Sequence, residues 1–415
     1  IEAIGLTGIW HSLLLLDDKR QPVERIRTWV DLSGADHVAA LRKDPELVDL
    51  MYHNTGCMVN AIYPAWKWHH LKQAQPELAE KARFIASQME FVFESLTGHR
   101  AVSRSIASGS GFLNIHTLDW DPDVLAFMGL RADQFSELVE AFHTAPLKAE
   151  IAQRVGLPSG IPVTVGCADG AMNQLAIGGL DTKAMSMSVG TSGALRAVHL
   201  EPKIPKEPST WCYYLTEGRR IAGAAVNNAT NCVDWFLTLQ EGQLTGQVYD
   251  RYSQGIGEVK RREAPIFMAF LFGERSPGWN EQRPGGFVDI KAFHGKYDLY
   301  YAILEGILFT MRQCYDILVE VGGWPEEVLV SGGIVNSTPW MQMAADIFQR
   351  EIKVTATTNE STVGGALAAL EAVGGSEQVA GYEPGVVKSF KPKAESAELY
   401  QPRYQRYLEL YKTLE

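Results

Sequence analysis

Apolar residues dominate 1–6 and 12–16, two short runs on either side of Gly8. Runs of that length, closed by a polar stretch at 17–21, predict buried strands followed by a turn. From residue 36 the spacing becomes helical. Segments 36–42 and 46–52 are short, and 61–73 and 77–96 are longer. Segments 118–130, 131–143 and 149–155 complete a helix-rich half. The pattern breaks at Leu157-Pro158-Ser159-Gly160-Ile161-Pro162, where two prolines and a glycine predict a boundary between a domain at 1–160 and another at 161–415.

Beyond it the elements alternate. A strand at 162–167 ends in Ala168-Asp169-Gly170, and a helix at 171–177 stops at Gly178-Gly179. Strands at 184–189 and 194–199 flank Gly190-Thr191-Ser192-Gly193. A strand at 327–331 runs into Gly332-Gly333. Thr338 is expected to cap a helix that opens with Pro339 and reaches Arg350. A strand at 352–356 and a helix at 362–372, with Gly364 and Gly365 near its start, follow. The apolar segment 300–311 contains Glu305 and Gly306 and predicts a core helix, being too short for a membrane span. Alternation of this kind is α/β.

Composition narrows the function classes. The 415 residues are enough for two or three domains, and 46% hydrophobic with 21% charged residues is ordinary for a globular chain. A net charge of −11 argues against nucleic acid or an anionic membrane as partner, though a local pocket can still take an anion. Five scattered cysteines without a CxxC pair fit a reducing cytoplasm. His69 and His70 are adjacent and cannot share a helix face, so no metal site is expected there. No basic leader precedes Ile1, which stands in mid-strand and reads as if sequence were missing upstream.

Three places could carry chemistry. The turn Gly190-Thr191-Ser192-Gly193 can aim backbone N–H groups and hydroxyls at a phosphate, or be a plain hairpin turn. Asp169, at the C-terminal end of a buried strand, can accept a hydroxyl proton or cap the next helix. Gly332 and Gly333 can let a flat ring lie on the backbone, or make a tight turn. No GxxxxGK[ST] or GxGxxG is present.

In this order, strand–Asp–Gly, strand–GTSG and strand–GG–helix resemble the second half of an actin-like ATPase domain. The chain as a whole resembles the FGGY carbohydrate kinases, and within them the gluconokinase branch. The matching blocks are Ile4-Gly5-Leu6-Thr7-Gly8-Ile9-Trp10-His11-Ser12, Trp29-Val30-Asp31, Thr55-Gly56-Cys57 with Tyr63-Pro64 and Lys67, and Ser105-Ile106-Ala107-Ser108 with Leu118-Asp119-Trp120. Later come Cys167-Ala168-Asp169-Gly170-Ala171, Ser188-Val189-Gly190-Thr191-Ser192-Gly193-Ala194, Val226-Asn227-Asn228, the block from Gly273 to Asn280, and Ser331-Gly332-Gly333 with Asn336. His11-Ser12 and Gly170 are the gluconokinase forms.

The resemblance implies two ribonuclease H-like domains flanking a cleft, the first incomplete at its start, because the family's opening D-x-G-T hairpin has no equivalent here. It implies ATP with Mg²⁺ and a sugar or sugar acid. Asp169 would be the catalytic base. His11, Ser12, Trp29 and Asp31 would bind the substrate together with Asp169. Gly190, Thr191 and Ser192 would take phosphates, and Gly332, Gly333 and Asn336 the adenosine. Gluconate is the expected substrate. A pentulose kinase is the alternative, because Ser33, Asn60, and Ser103 with Arg104 depart from the family's pattern. A non-catalytic sugar or nucleotide binder is the reading of another class. A homodimer is left open.

Overall fold

The structure is a computed structural model and describes residues 1–178, 180, 182–357 and 359–413. Gly179, at the end of the expected helix, lies outside them. The chain divides into two compact units. The first holds residues 1–180, 198–222 and 357–384, and the second 181–197, 223–356 and 385–415.

Among the described residues, the first 180 positions contribute eight short strands to unit 1: β1 (Thr7–Gly8), β2 (Leu14–Leu16), β3 (Phe84–Ala86), β4 (Ala101–Ser103), β5 (Glu137–Val139), β6 (Thr144–Pro146), β7 (Pro162–Thr164) and β8 (Cys167–Ala168). β1 pairs in parallel with β8, and an isolated bridge from Ile4 to Val163 prolongs the contact. β4 and β5 are also parallel, whereas β2–β3 and β6–β7 are antiparallel. Phe93, Ala101, Val139, Val163 and Val165 form a core shared by these strands and the Gln88–Thr97 helix.

Two expected helices are corrected here. Segment 77–96 is a short helix (Pro76–Lys81), then β3, then Gln88–Thr97. Ser87 and Glu90 form a capping box that starts the second helix afresh. Segment 131–143 is one 3₁₀ turn (Ala132–Gln134) followed by β5. Pairing with β4 outweighs the helical spacing there, since Val102 and Val139 are buried by it. The first strand also moves: its ladder lies at Thr7 and Gly8 rather than throughout 1–6.

The later strands are β9 (Ala184–Val189), β10 (Gly193–His199), β11 (Trp211–Thr216), β12 (Arg219–Val226), β13 (Ile266–Met268), β14 (Gly286–Val288), β15 (Glu327–Ser331), β16 (Ile352–Thr355) and β17 (Val386–Phe390). One seven-stranded sheet runs β11-β12-β10-β9-β15-β16-β17. β9, β15 and β16 are parallel, so their C-terminal ends share one edge, where α/β sheets place ligands. The expected core helix is the middle of Lys296–Gly322. Its two odd residues have uses. Glu305 is fully buried and pairs with Arg403 at 2.5 Å. Gly306 leaves room for the Phe267 carbonyl, which a Cβ would approach to 2.1 Å. Ser337, not Thr338, caps the Thr338–Phe348 helix, which places Pro339 at its second position. Among the described residues no helix is long and apolar enough to cross a membrane.

Candidate functional site

In unit 1, Trp10 and His11 sit against the segment 105–111. Trp10 Nε1 donates to the Ser105 carbonyl at 3.0 Å. His11 Nδ1 lies 2.7 Å from the Gly109 carbonyl; a carbonyl only accepts, so Nδ1 carries the proton. A Cβ at Gly109 would come within 2.6 Å of the Trp10 ring, so a glycine is required for this seat. Tyr63 stands edge-on to His11 with ring centres 4.9 Å apart, and Tyr213 stands at 5.8 Å. The two tyrosine hydroxyls share a 2.8 Å hydrogen bond. Ser12 Oγ accepts the Gln88 N–H at 3.0 Å. His11 and Ser12 also border a cavity of about 30 Å³ with Ile106, Ala107 and Phe112. That space holds a water or two and falls far short of the several hundred Å³ of a ligand pocket, so it is a packing gap.

Trp29 is half exposed, and Asp31 lies beside it on the same loop. Asp31 Oδ1 accepts the Ser33 N–H at 3.0 Å, and Arg27 approaches its Oδ2 at 3.4 Å. Burial works against the Asp31 carboxylate, but the Ser33 N–H, Arg27 and Lys67 outweigh it and hold its pKa below the usual value. Lys67 donates to the Asp31 backbone carbonyl from below.

Asp169 is the first residue of the Asp169–Ala176 helix; Ala168 is the N-cap position, so Asp169 is not the cap. Its side chain is exposed and accepts the Gly170 N–H at 2.8 Å. No ion pair to it is found among the described residues. Its carbonyl accepts from Ser361 on the Glu360–Ala372 helix. The two helices pack almost backbone to backbone: a Cβ at Gly364 would lie 2.0 Å from the Met172 carbonyl, and one at Gly5 2.0 Å from that of Gly365.

In unit 2 the structure brings together the two glycine loops. β15 pairs with β9 so that Ser331 faces Ser188, and the residues that follow each strand emerge side by side. Gly332 has φ +89°, and a Cβ there would meet the Val189 carbonyl at 2.5 Å. Turn 190–192 closes the β9–β10 hairpin, with Thr191 and Ser192 exposed. The Thr230 N–H, at the start of the Thr230–Glu241 helix, holds the Gly190 carbonyl at 2.9 Å. Asn336, itself exposed, ends the 3₁₀ turn Gly333–Asn336. Side-chain-free backbone, two exposed hydroxyls and a strand edge fit a nucleotide's phosphates and ring. Among the described residues no cluster of three or more His, Cys, Asp or Glu could hold a metal ion.

Tyr213, which faces His11, and Trp211, which stacks on Tyr213 and tilts against Trp10, escaped the sequence reading. They come from β11, some 200 residues away along the chain. Their one local signal is the aromatic run Trp211-Cys212-Tyr213-Tyr214.

The N-terminal domain of the FGGY family of carbohydrate kinases matches residues 1–176, and its C-terminal domain matches 185–373. The chain is 28% identical to gluconokinase of Bacillus licheniformis, over 99% of this chain and 82% of that protein. It is 26% identical to xylulose kinase of Escherichia coli (strain K12), over 100% and 85%. The crystal structure of gluconate kinase from Lactobacillus acidophilus matches with a TM-score of 0.93 at 25% identity, over 100% and 84%. The fold is therefore the two-domain α/β actin-like ATPase fold, of a type that transfers a phosphoryl group from ATP to a sugar hydroxyl. The chain belongs to the FGGY family of carbohydrate kinases.

Proposed function

We propose that the protein phosphorylates the terminal hydroxyl of gluconate, giving 6-phosphogluconate and ADP. The observation that carries this reading is Asp169, an exposed carboxylate at a helix start with one oxygen steadied by the Gly170 amide. As the substrate oxygen bonds to the γ-phosphorus and the bond to the ADP oxygen breaks, Asp169 takes the hydroxyl proton. Gly190, Thr191 and Ser192 would hold phosphate oxygens, and Gly332, Gly333 and Asn336 would border the adenosine. His11, Ser12, Trp29 and Asp31 would orient the polyol. Mg²⁺ would arrive on the nucleotide, held chiefly by phosphates and water, and supply charge neutralisation.

His11-Ser12, Gly170 and the 28% identity to a gluconokinase support gluconate. The 26% identity to a xylulose kinase, with Ser33 and Asn60 on the sugar side, supports a pentulose as the second reading. A coupled ADP-release assay across aldonates, ketoses and polyols separates the two: gluconate should give the highest kcat/KM, and a preference for xylulose would overturn the first reading. The five free, buried cysteines support a cytoplasmic setting. A homodimer belongs to the same proposal, and light scattering on the purified chain tests it.

A further inference from the structure

We propose that Lys67 is a positioning residue that holds the loop 29–31 in place as a sugar-binding arm. The inference rests on the reading of Trp29 and Asp31 as sugar contacts. Lys67 lies on the Pro64–Ala74 helix and is 6% exposed. Its ammonium spends three hydrogen bonds on backbone carbonyls: Asp31 at 2.9 Å, Ala61 at 2.5 Å and Ile62 at 2.9 Å. No carboxylate lies within ion-pair distance of it among the described residues. A buried lysine used this way fixes backbone, because a carbonyl cannot rotate away from its own chain.

The loop needs such an anchor. Trp29, Val30 and Leu32 are exposed apolar side chains, so the loop gains little from burial. Among the described residues the Asp31 side chain is tied only to its near neighbours Arg27 and Ser33. Lys67 ties the loop backbone to a distant element, 36 residues away. Two of the three carbonyls, Ala61 and Ile62, lead directly into the Pro64–Ala74 helix and lie deeper than Asp31. The ammonium therefore transfers the rigidity of the helix start to the loop.

The test compares Lys67→Met, Lys67→Arg and Trp29→Ala in the full chain. Trp29→Ala examines the underlying reading: it should raise the sugar KM, and an unchanged KM would defeat that reading. Lys67→Met should raise the sugar KM about tenfold while the ATP KM and kcat stay within about twofold, since a displaced binding group weakens orientation at its own end of the reaction. Lys67→Arg, which keeps charge and donors, should restore part of the loss. In the double variant Trp29→Ala/Lys67→Met, the two sugar effects should overlap rather than multiply. If the effects multiply, or if ATP and sugar KM rise together, Lys67 acts as general scaffolding and the proposal falls. Should Lys67→Met not fold, Lys67→Arg decides alone: a sugar KM equal to that of the parent, with the ATP KM shifted, overturns it, and a selective rise in sugar KM supports it.

Discussion

His11 in the first unit and Gly332 in the second both have left-handed backbone, with φ of 62° and 89°. The reasons are opposite. At His11 the chain accepts an unfavourable conformation so that a large side chain can be seated on Gly109 and between two tyrosines. At Gly332 the conformation is free for glycine, and what matters is that no side chain stands on the Val189 carbonyl. Recognition on the proposed sugar side is made of side chains and can change with them. On the proposed nucleotide side it is made of backbone, which constrains sequence far more tightly. That difference is expected where one partner, ATP, is shared across a family and the other is not.

In the proposed reaction one carboxylate, Asp169, takes the hydroxyl proton, so the largest effect should come from removing it. Asp169→Asn is expected to lower kcat by about 10²–10⁴-fold, the range of general-base assistance, with an unchanged melting temperature because the side chain is exposed. Near-parental turnover would leave the contrast between the regions without a reaction to serve. Gly332→Ala should come next. The added Cβ must displace the Val189 carbonyl and sit at a φ that alanine disfavours, at a cost of about 1–3 kcal/mol. A loss of about 10- to 100-fold in kcat/KM for ATP, with the sugar KM retained, is the expected reading. An active Gly332→Ala would mean that the second region does not depend on bare backbone.

The two regions were unequally legible in the sequence. β9 and β15 fall at the expected residues, because each is a short, largely buried run closed by glycine. The glycine loops follow directly from those strand ends. The sugar side was harder. His11 and Ser12 could be picked out, but their surroundings come from 63, 109 and 213, and nothing local in the sequence joins these positions. β3 and β5 are three residues each, too short for an alternating pattern to show against flanking helical spacing. The return of residues 357–384 to the first unit is likewise a matter of packing, made possible by Gly5 and Gly364.

A smaller effect tests how firmly the sugar side is fixed. Burial lowers the Lys67 pKa to about 8; Asp31 nearby raises it, and Arg27 lowers it further. Above that pH the amine has two N–H groups for three carbonyls. Asp31, the least buried of the three, is the contact expected to lapse. The sugar KM should therefore rise a few-fold between about pH 7 and 9, while the ATP KM does not. Stability moves the other way. A base with a lowered folded pKa binds fewer protons folded than unfolded between about 8 and its ordinary value near 10.5, so its contribution to stability grows with pH in that window. A sugar KM flat across this range, or one that also climbs in Lys67→Arg, would remove the lysine from the account.

The smallest effect bears most directly on the comparison itself. His11→Ala and His11→Gly both delete the imidazole and should raise the sugar KM by similar factors. They should differ in stability. A left-handed conformation costs an ordinary residue about 1–2 kcal/mol, and glycine escapes that cost. Glycine also gives the unfolded chain more freedom, which takes back about 0.4–1 kcal/mol. The balance makes His11→Gly the more stable of the two by about 0.5–1 kcal/mol, measurable as a higher denaturant midpoint. At most positions the order is reversed, alanine being favoured over glycine. If alanine proves the more stable replacement at residue 11, the backbone there is not held left-handed, and the histidine is placed by its aromatic neighbours alone.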